Sequence, residues 1–348
     1  EKYTEAWLPV FLYHNFRDIF ICDFFAGAGY DKIGTSGSPL RILEVIKSQQ
    51  YNIIKNRVTI NVLFNELDKD KYLLLEKNVI EKLEEMPDLK NYLKVEIQNK
   101  EFYELFRKRK TNFAKSANLF FLDQNGVKEI SEEVFSDLVN LSTTDFIFFV
   151  SSSFFHRFQN EGSKYFKEFN LDDIKGYTYS KIHKVVLELY KKMIPKENSA
   201  KLYPFTIKKG ANIYGLIFGA KHPRAVDKFL KIAWNKNKLN GQANFDMDKE
   251  KENIQRDLFT NQGQTKVEKY EFELETFILS KQEITNKELY DFTLENGHIP
   301  KHTIDKVKVM KKEKIIDYYG HPCISYEKCY SESKRDIKTF KVIGNEKD

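Results

Sequence analysis

Cysteine is scarce here: Cys22, Cys323 and Cys329 are the only three among 348 residues. So few thiols, one of them inside an apolar stretch, exclude a disulfide framework and point to a reducing, cytoplasmic setting. Long hydrophobic runs are missing as well. None approaches the ~20 residues of a membrane span, so no membrane partner is expected. The first residues carry no basic-then-apolar leader, so no secretion signal is expected; the chain starts at Glu1 rather than Met, and further residues upstream are expected. Histidines are few and scattered, and His321, Cys323 and Cys329 lack the paired spacing of a structural zinc site, so no metal is expected. No spacing of carboxylates provides a nuclease metal cluster. Charge of one sign is only mildly in excess, at +6, which permits a polyanionic partner without demanding one. Against these absences, 41% of the residues are hydrophobic, enough for a substantial core.

Apolar strand patterns alternate with helical ones over the first half of the chain. Residues 3–15 read as a helix, 18–24 as a strand, and Leu40 to Ile46 as a helix opened by Pro39. Strands follow at 59–64, 92–97, 117–123 and 144–152, with helices at 69–86 and 131–141. This order predicts a mostly parallel, helix-covered sheet of α/β class. A helix at 182–193, a late strand pair at 203–208 and 213–219, and a helix at 225–234 complete a first domain over residues 1–240. Residues 241–265 are polar and read as a linker or lid. A second domain over 266–348 shows a helix at 270–280, a capping box at Thr285–Glu288 opening a second helix, and a third helix at 300–312. A hairpin is expected from 315–319 and 323–326, turning at Gly320. Helix, helix, helix, hairpin is the order of a winged helix-turn-helix.

The chemistry concentrates where strands end. The first strand runs into Asp23-Phe24-Phe25-Ala26-Gly27-Ala28-Gly29. Glycine admits a ligand that a side chain would exclude. The stretch lacks the third glycine and the helix start of a dinucleotide fingerprint, and fits S-adenosylmethionine better. Carboxylates end three apolar strands in succession: Asp23, Glu66 and Asp123. Asp23 is expected to order the loop facing the methionine part. Glu66 is expected to accept from both ribose hydroxyls, a task suited to a carboxylate, and Glu101 to receive the adenine amino group. Each acid has a structural alternative as a helix-capping residue. Gly27 and Glu66 lie 39 residues apart, further than the ~20 of a compact dinucleotide unit, and the insert holds Gly37-Ser38-Pro39-Leu40. The basic run Arg107–Lys110, and Lys301, Lys306, Lys308, Lys311, Lys312 and Lys314 around the third helix of the second domain, are candidate phosphate contacts.

The segments FAGAGY, GSPL and NELDKD, in that order, resemble the three-Cys-motif partner proteins, bacterial proteins with a Rossmann-type methyltransferase core. Phe121–Gly126 stands in the place of the family's F-x-D-P-F-G, and Ile213–Pro223 resembles its Y-x-L-x-F-G-x-x-H-P. The resemblance covers residues ~1 to 240 and implies a protein partner encoded by a neighbouring gene. GSPL followed by a Glu-Leu-Asp strand end is also similar to the methyltransferases of adenine N6 in ribosomal RNA. That likeness places Asp123 where an acid orients the target amine, with Gln124 and Asn125 beside it, while Gln124-Asn125-Gly126 replaces the rigid, stacking Pro-Pro-aromatic. The expected function is S-adenosylmethionine-dependent methyl transfer to RNA or DNA. The catalytic group would be Asp123, Gln124 and Asn125, and the cofactor would lie on Asp23, Ala26, Gly27, Gly29, Gly37, Ser38, Pro39, Glu66 and Glu101. The alternative is a catalytically degenerate cofactor-binding or partner module.

Overall fold

The computed structural model describes residues 1–13, 16, 18–123, 130–151, 182–210, 212–247 and 264–343. Two units are present, Glu1–Ala225 and Val226–Asp348.

The first unit follows the alternation in the sequence. Its elements are α1 (Lys2–Leu12), β1 (Asp18–Asp23), α2 (Ser38–Ser48), α3 (Gln50–Asn56), β2 (Thr59–Asn65), α4 (Lys69–Glu84), β3 (Leu93–Gln98), α5 (Phe102–Phe113), β4 (Ala117–Leu122), α6 (Glu132–Asn140), β5 (Thr144–Ser151), α7 (Ile182–Lys192), β6 (Lys201–Lys209) and β7 (Asn212–Ala220). The sheet order is β3-β2-β1-β4-β5-β7-β6. The strands from β3 to β5 are parallel, whereas β7 runs antiparallel to both β5 and β6. The reversed final pair separates this Rossmann-like sheet from the 3-2-1-4-5-6 dinucleotide order.

Helices on the faces explain the unbroken apolar runs. β4 is buried at all six positions. Phe102, Leu105 and Phe106 of α5 join Phe135 of α6 and Tyr190 of α7 in one hydrophobic cluster with the sheet. Edge-to-face rings at 4.8–6.4 Å link Phe24 to Phe102, Phe106, Phe113 and Phe120 and Phe113 to Phe120. Such packing is worth more than the buried area alone. Trp7, Leu8, Leu43, Ile46, Ile53 and Leu75 bury the faces of α1 to α4.

Gly219 shows how tight this core is. It lies opposite Phe146 in the β5–β7 register, and a Cβ there would fall 2.2 Å from the ring. Phe146 is itself buried against Phe135 and Phe148 and has nowhere to retreat. Gly219→Ala is expected to destabilise the unit by about 1–3 kcal/mol through overpacking, seen as a lower urea midpoint.

The second unit is built from α8 (Pro223–Lys236) from Val226 onward, α9 (Lys266–Leu279), β8 (Glu283–Thr285), α10 (Asn286–Glu295), α11 (Pro300–Lys312), β9 (Ile316–Asp317), α12 (Tyr326–Tyr330) and β10 (Thr339–Val342). The expected Thr285–Glu288 capping box forms, with Thr285 accepting from the Glu288 N–H and Glu288 accepting from the Thr285 N–H. A second box, Thr265 with Glu268, starts α9. Gly297, at φ 70°, follows the end of the second helix. Trp234 donates through its indole N–H to the Gly297 carbonyl at 2.9 Å, so α8 belongs to this unit's core. The expected hairpin does not form. β9 pairs instead with β10, which also pairs with β8, and residues 326–330 are helical because Ser325 caps them.

Candidate cofactor site at the carboxyl edge of the sheet

Parallel pairing brings three distant carboxylates to one edge. β1 lies between β2 and β4, with Asp23 in register with Phe64 and Phe121. Glu66 follows β2 by one residue and Asp123 follows β4 by one. The order reverses between β1 and β4, and open α/β sheets bind ligands outside such a switch point.

The loop between β1 and α2 is held from several sides. The Phe24 N–H donates to the Phe121 carbonyl at 3.1 Å and the Ala26 N–H to the Asn65 carbonyl at 2.9 Å. Gly27 and Gly29 adopt φ 66° and 90°, a region that L side chains enter only with strain. A Cβ on Gly27 would meet nothing within 4 Å, leaving a backbone cradle open to a ligand. The Gly37 N–H donates to the Gly29 carbonyl at 2.7 Å, and a Cβ on Gly37 would stand 2.9 Å from that oxygen. Thus Gly37, Ser38 and Pro39 close against the glycine loop, with Pro39 opening α2 in its first turn.

The three acids differ in environment. Asp23 is fully buried, its Oδ1 accepting from the Phe25 N–H at 3.3 Å. Oδ2 has no hydrogen bond of ordinary geometry, although the Ser38 hydroxyl is near enough to ease the charge. Burial pushes the Asp23 carboxyl up to about 7, and the charges of Asp123 and Glu66 add to the rise. Half-buried Glu66 accepts from the Gly27 N–H through Oε2 and from the Asp68 N–H through Oε1, each at 2.9 Å. Asp123 is open to solvent, yet surrounding protein crowds its carboxylate and raises it above the usual range. Glu101 uses Oε2 to cap α5, accepting from the Glu104 N–H at 2.9 Å, which is its structural alternative realised. Gln124 and Asn125 lie outside the described residues.

Three asparagines escaped the sequence reading. Buried Asn65 donates to the Phe24 and Lys100 carbonyls and accepts from the Lys100 N–H, tying the ends of β1, β2 and β3 together. Asn78 of α4 donates to the Ala28 carbonyl at 2.7 Å, and Asn99 donates to the carbonyls of Glu66 and Leu67. Asn65 had one available signal, a polar residue closing an apolar strand. Asn78 sits among charged helix residues and had none.

The basic run of α5 is largely neutralised: Arg107 pairs with Glu133, Arg109 with Glu96 and Lys110 with Asp137. In the second unit Lys301, Lys306 and Lys311 pair with Asp305, Glu275 and Asp317. Lys308, Lys312 and Lys314 are exposed and form no ion pair among the described residues. Those residues contain no group of three or more potential metal ligands. No described helix is long and apolar enough to cross a membrane.

A Rossmann-like α/β unit followed by a winged helix is the class of protein that the fold defines. Residues 244–320 match the family model of the GMT-like wHTH domain, which takes in most of the polar stretch 241–265. Among solved structures, spermidine synthase from Thermotoga maritima is 15% identical, over 64% of this chain and 58% of its own, with a TM-score of 0.31. A proposed O-methyltransferase from Klebsiella pneumoniae is 9% identical over 64% of this chain and 79% of its own, with a TM-score of 0.34. The human methyltransferase 10 domain containing protein is 11% identical over 63% and 80%, with a TM-score of 0.30. No curated protein matches the chain.

Proposed function

We propose that the first unit binds S-adenosylmethionine and directs its methyl group to a base amine of nucleic acid, in a protein of the three-Cys-motif partner type. The observation that carries this reading is the cluster of Asp23, Glu66 and Asp123 around an open glycine loop. The residues fit the cofactor: Glu66 retains acceptor capacity for ribose hydroxyls beyond its two backbone donors. Gly27 leaves room beside the backbone, and the unpartnered Asp23 Oδ2 is a buried acceptor available at the same loop. The bound cofactor supplies an electrophilic sulfonium methyl. Asp123 then needs only to accept a hydrogen bond from the amine and aim its lone pair, so orientation supplies most of the rate. Glu101 remains the proposed adenine contact through its second oxygen.

Calorimetry with S-adenosylmethionine and its demethylated product tests the cofactor part. Transfer of a tritiated methyl to RNA and to DNA tests the rest, with Asp123→Ala expected to abolish it while preserving cofactor binding. Cofactor binding with no transfer to either polymer would assign the chain to the degenerate module instead.

The winged unit would hold the polymer through the unpaired lysines at the end of α11. Changing Lys308, Lys312 and Lys314 together to alanine is expected to weaken binding to duplex DNA. If all three touch phosphates, the salt dependence loses about 2.7 from its log–log slope, at ~0.9 per contact. An unchanged slope would remove α11 from the interface.

A further inference from the structure

Two histidines outside the site above hold the turn between α10 and α11. His298 follows Gly297 and is 2% exposed, and half-buried His302 lies in the first turn of α11. Their Nδ1 atoms stand 3.0 Å apart. The contact has room for one proton, donated by one Nδ1 to the other, so two imidazoliums would meet N–H to N–H. Aromatic rings enclose the pair. Tyr270 of α9 stacks on His298 with centroids 3.9 Å apart and planes 10° from parallel. Trp234 of α8 packs 4.9 Å from His298 and 4.4 Å from His302, while its N–H holds the Gly297 carbonyl. Helices α8, α9 and α11 thus meet at this imidazole pair.

The surroundings do not welcome added positive charge. Lys266, at the start of α9, faces both rings; its ammonium lies over the Trp234 ring at 4.9 Å and donates to the Asn240 carbonyl. From α11 come Lys301 and Asp305, and that carboxylate is already paired with that ammonium. The Tyr270 hydroxyl of α9 is tied to Thr293 of α10 and Thr303 of α11. Burial therefore pushes His298 down to about 2 and His302 to about 4, with Lys266 adding to both and Asp305 opposing at His302. An unfolded histidine takes its proton near pH 6.5. Below that pH the unfolded state binds protons that the folded state refuses, so stability complete above neutral pH falls as the pH drops towards 4. We propose that the His298–His302 contact is an acid-sensitive latch of the winged unit: mild acid opens the turn between α10 and α11, and a polymer held on α11 closes it again. The second half rests on the reading of α11 given above; the first does not.

Urea unfolding of the full chain tests the latch, followed through Trp234 in a Trp7→Phe background that removes the other of the two tryptophans. Each histidine kept neutral is expected to raise the unfolding constant roughly 20-fold between pH 7 and pH 5. His302→Asn keeps an amide near the Nδ1 position without a titrating ring, and should lose that factor. Asp227 and Glu271, raised by burial, titrate in both chains, so the difference belongs to His302. Nitrogen NMR of the parent chain needs no variant: both rings should still be neutral at pH 5.5. Titration of either ring near pH 6.5, or equal pH dependence in parent and His302→Asn, would overturn the latch. Duplex DNA at a hundred times its dissociation constant should lower the unfolding constant at pH 5 about a hundredfold. A constant that DNA leaves unchanged would overturn the link to the polymer and the reading of α11, while the pH dependence still decides the latch.

Discussion

Glu66→Ala is expected to cost at least a hundredfold in affinity for S-adenosylmethionine while the fold survives. The carboxylate occupies the step between β2 and α4 and faces the glycine loop. One oxygen takes the Gly27 N–H and the other the Asp68 N–H, both at 2.9 Å. Removing it leaves the Gly27 donor unpaired in a half-buried setting and loosens the loop against β2. The stability cost is that of an ordinary hydrogen bond or two, about 1–2 kcal/mol. The binding cost is larger, because two ribose hydroxyls would lose a charged acceptor at about 1.5–3 kcal/mol each. Glu66→Gln should fall between, since its amide can accept through one oxygen only. Calorimetry with the cofactor and urea unfolding of the same variants separate the two effects. An alanine variant that binds within threefold of the parent would place the cofactor elsewhere.

The frame of the fold was readable because it rests on local chemistry. Apolar strands, a Pro39 helix start and the Thr285 capping box depend on residues adjacent in sequence, and each appears within a few residues of its expected place. The edge carboxylates were readable as a set because parallel strands all deliver their final residues to one side. Their division of labour was less so. Glu101 and Glu66 look alike in sequence, yet Glu101 caps a helix with Oε2 while Glu66 reaches back to a loop 39 residues earlier. The wing failed for a related reason. β9 has two residues and finds its partner at 339–342, beyond an intervening helix, so no local turn signal could identify the pair. Non-local pairing also hid Asn78 and Asn99, whose partners are backbone carbonyls and so leave no mark in the sequence.

Asp23→Asn is expected to stabilise the first unit above neutral pH, by up to about 4 kcal/mol at pH 8. The carboxyl is fully buried with one oxygen unpartnered, and burial lifts it to about 7. In the unfolded chain it titrates near its ordinary value of about 3.9. Between about pH 4 and pH 7 the folded state therefore holds a proton that the unfolded state has lost, and stability falls as pH rises through that window. Below it the parent suffers no penalty from this group, and the variant should match it there. Asp145, buried under the Tyr3 hydroxyl at 2.7 Å and likewise raised to about 7, contributes a slope of the same sign that Asp23→Asn leaves in place. Asp123, likewise raised, adds to that slope, so the variant should lose part of the pH dependence rather than all of it. If the proposed cofactor binds here, its cationic sulfonium would favour the ionised form of Asp23. Cofactor affinity in the parent is thus expected to strengthen from pH 6 to pH 8 and to be flatter and weaker in Asp23→Asn. Urea midpoints and calorimetry at the two pH values measure both sides of this exchange. Equal stability of parent and variant at pH 8 would show that Asp23 ionises without penalty and that the buried charge is not held for a ligand.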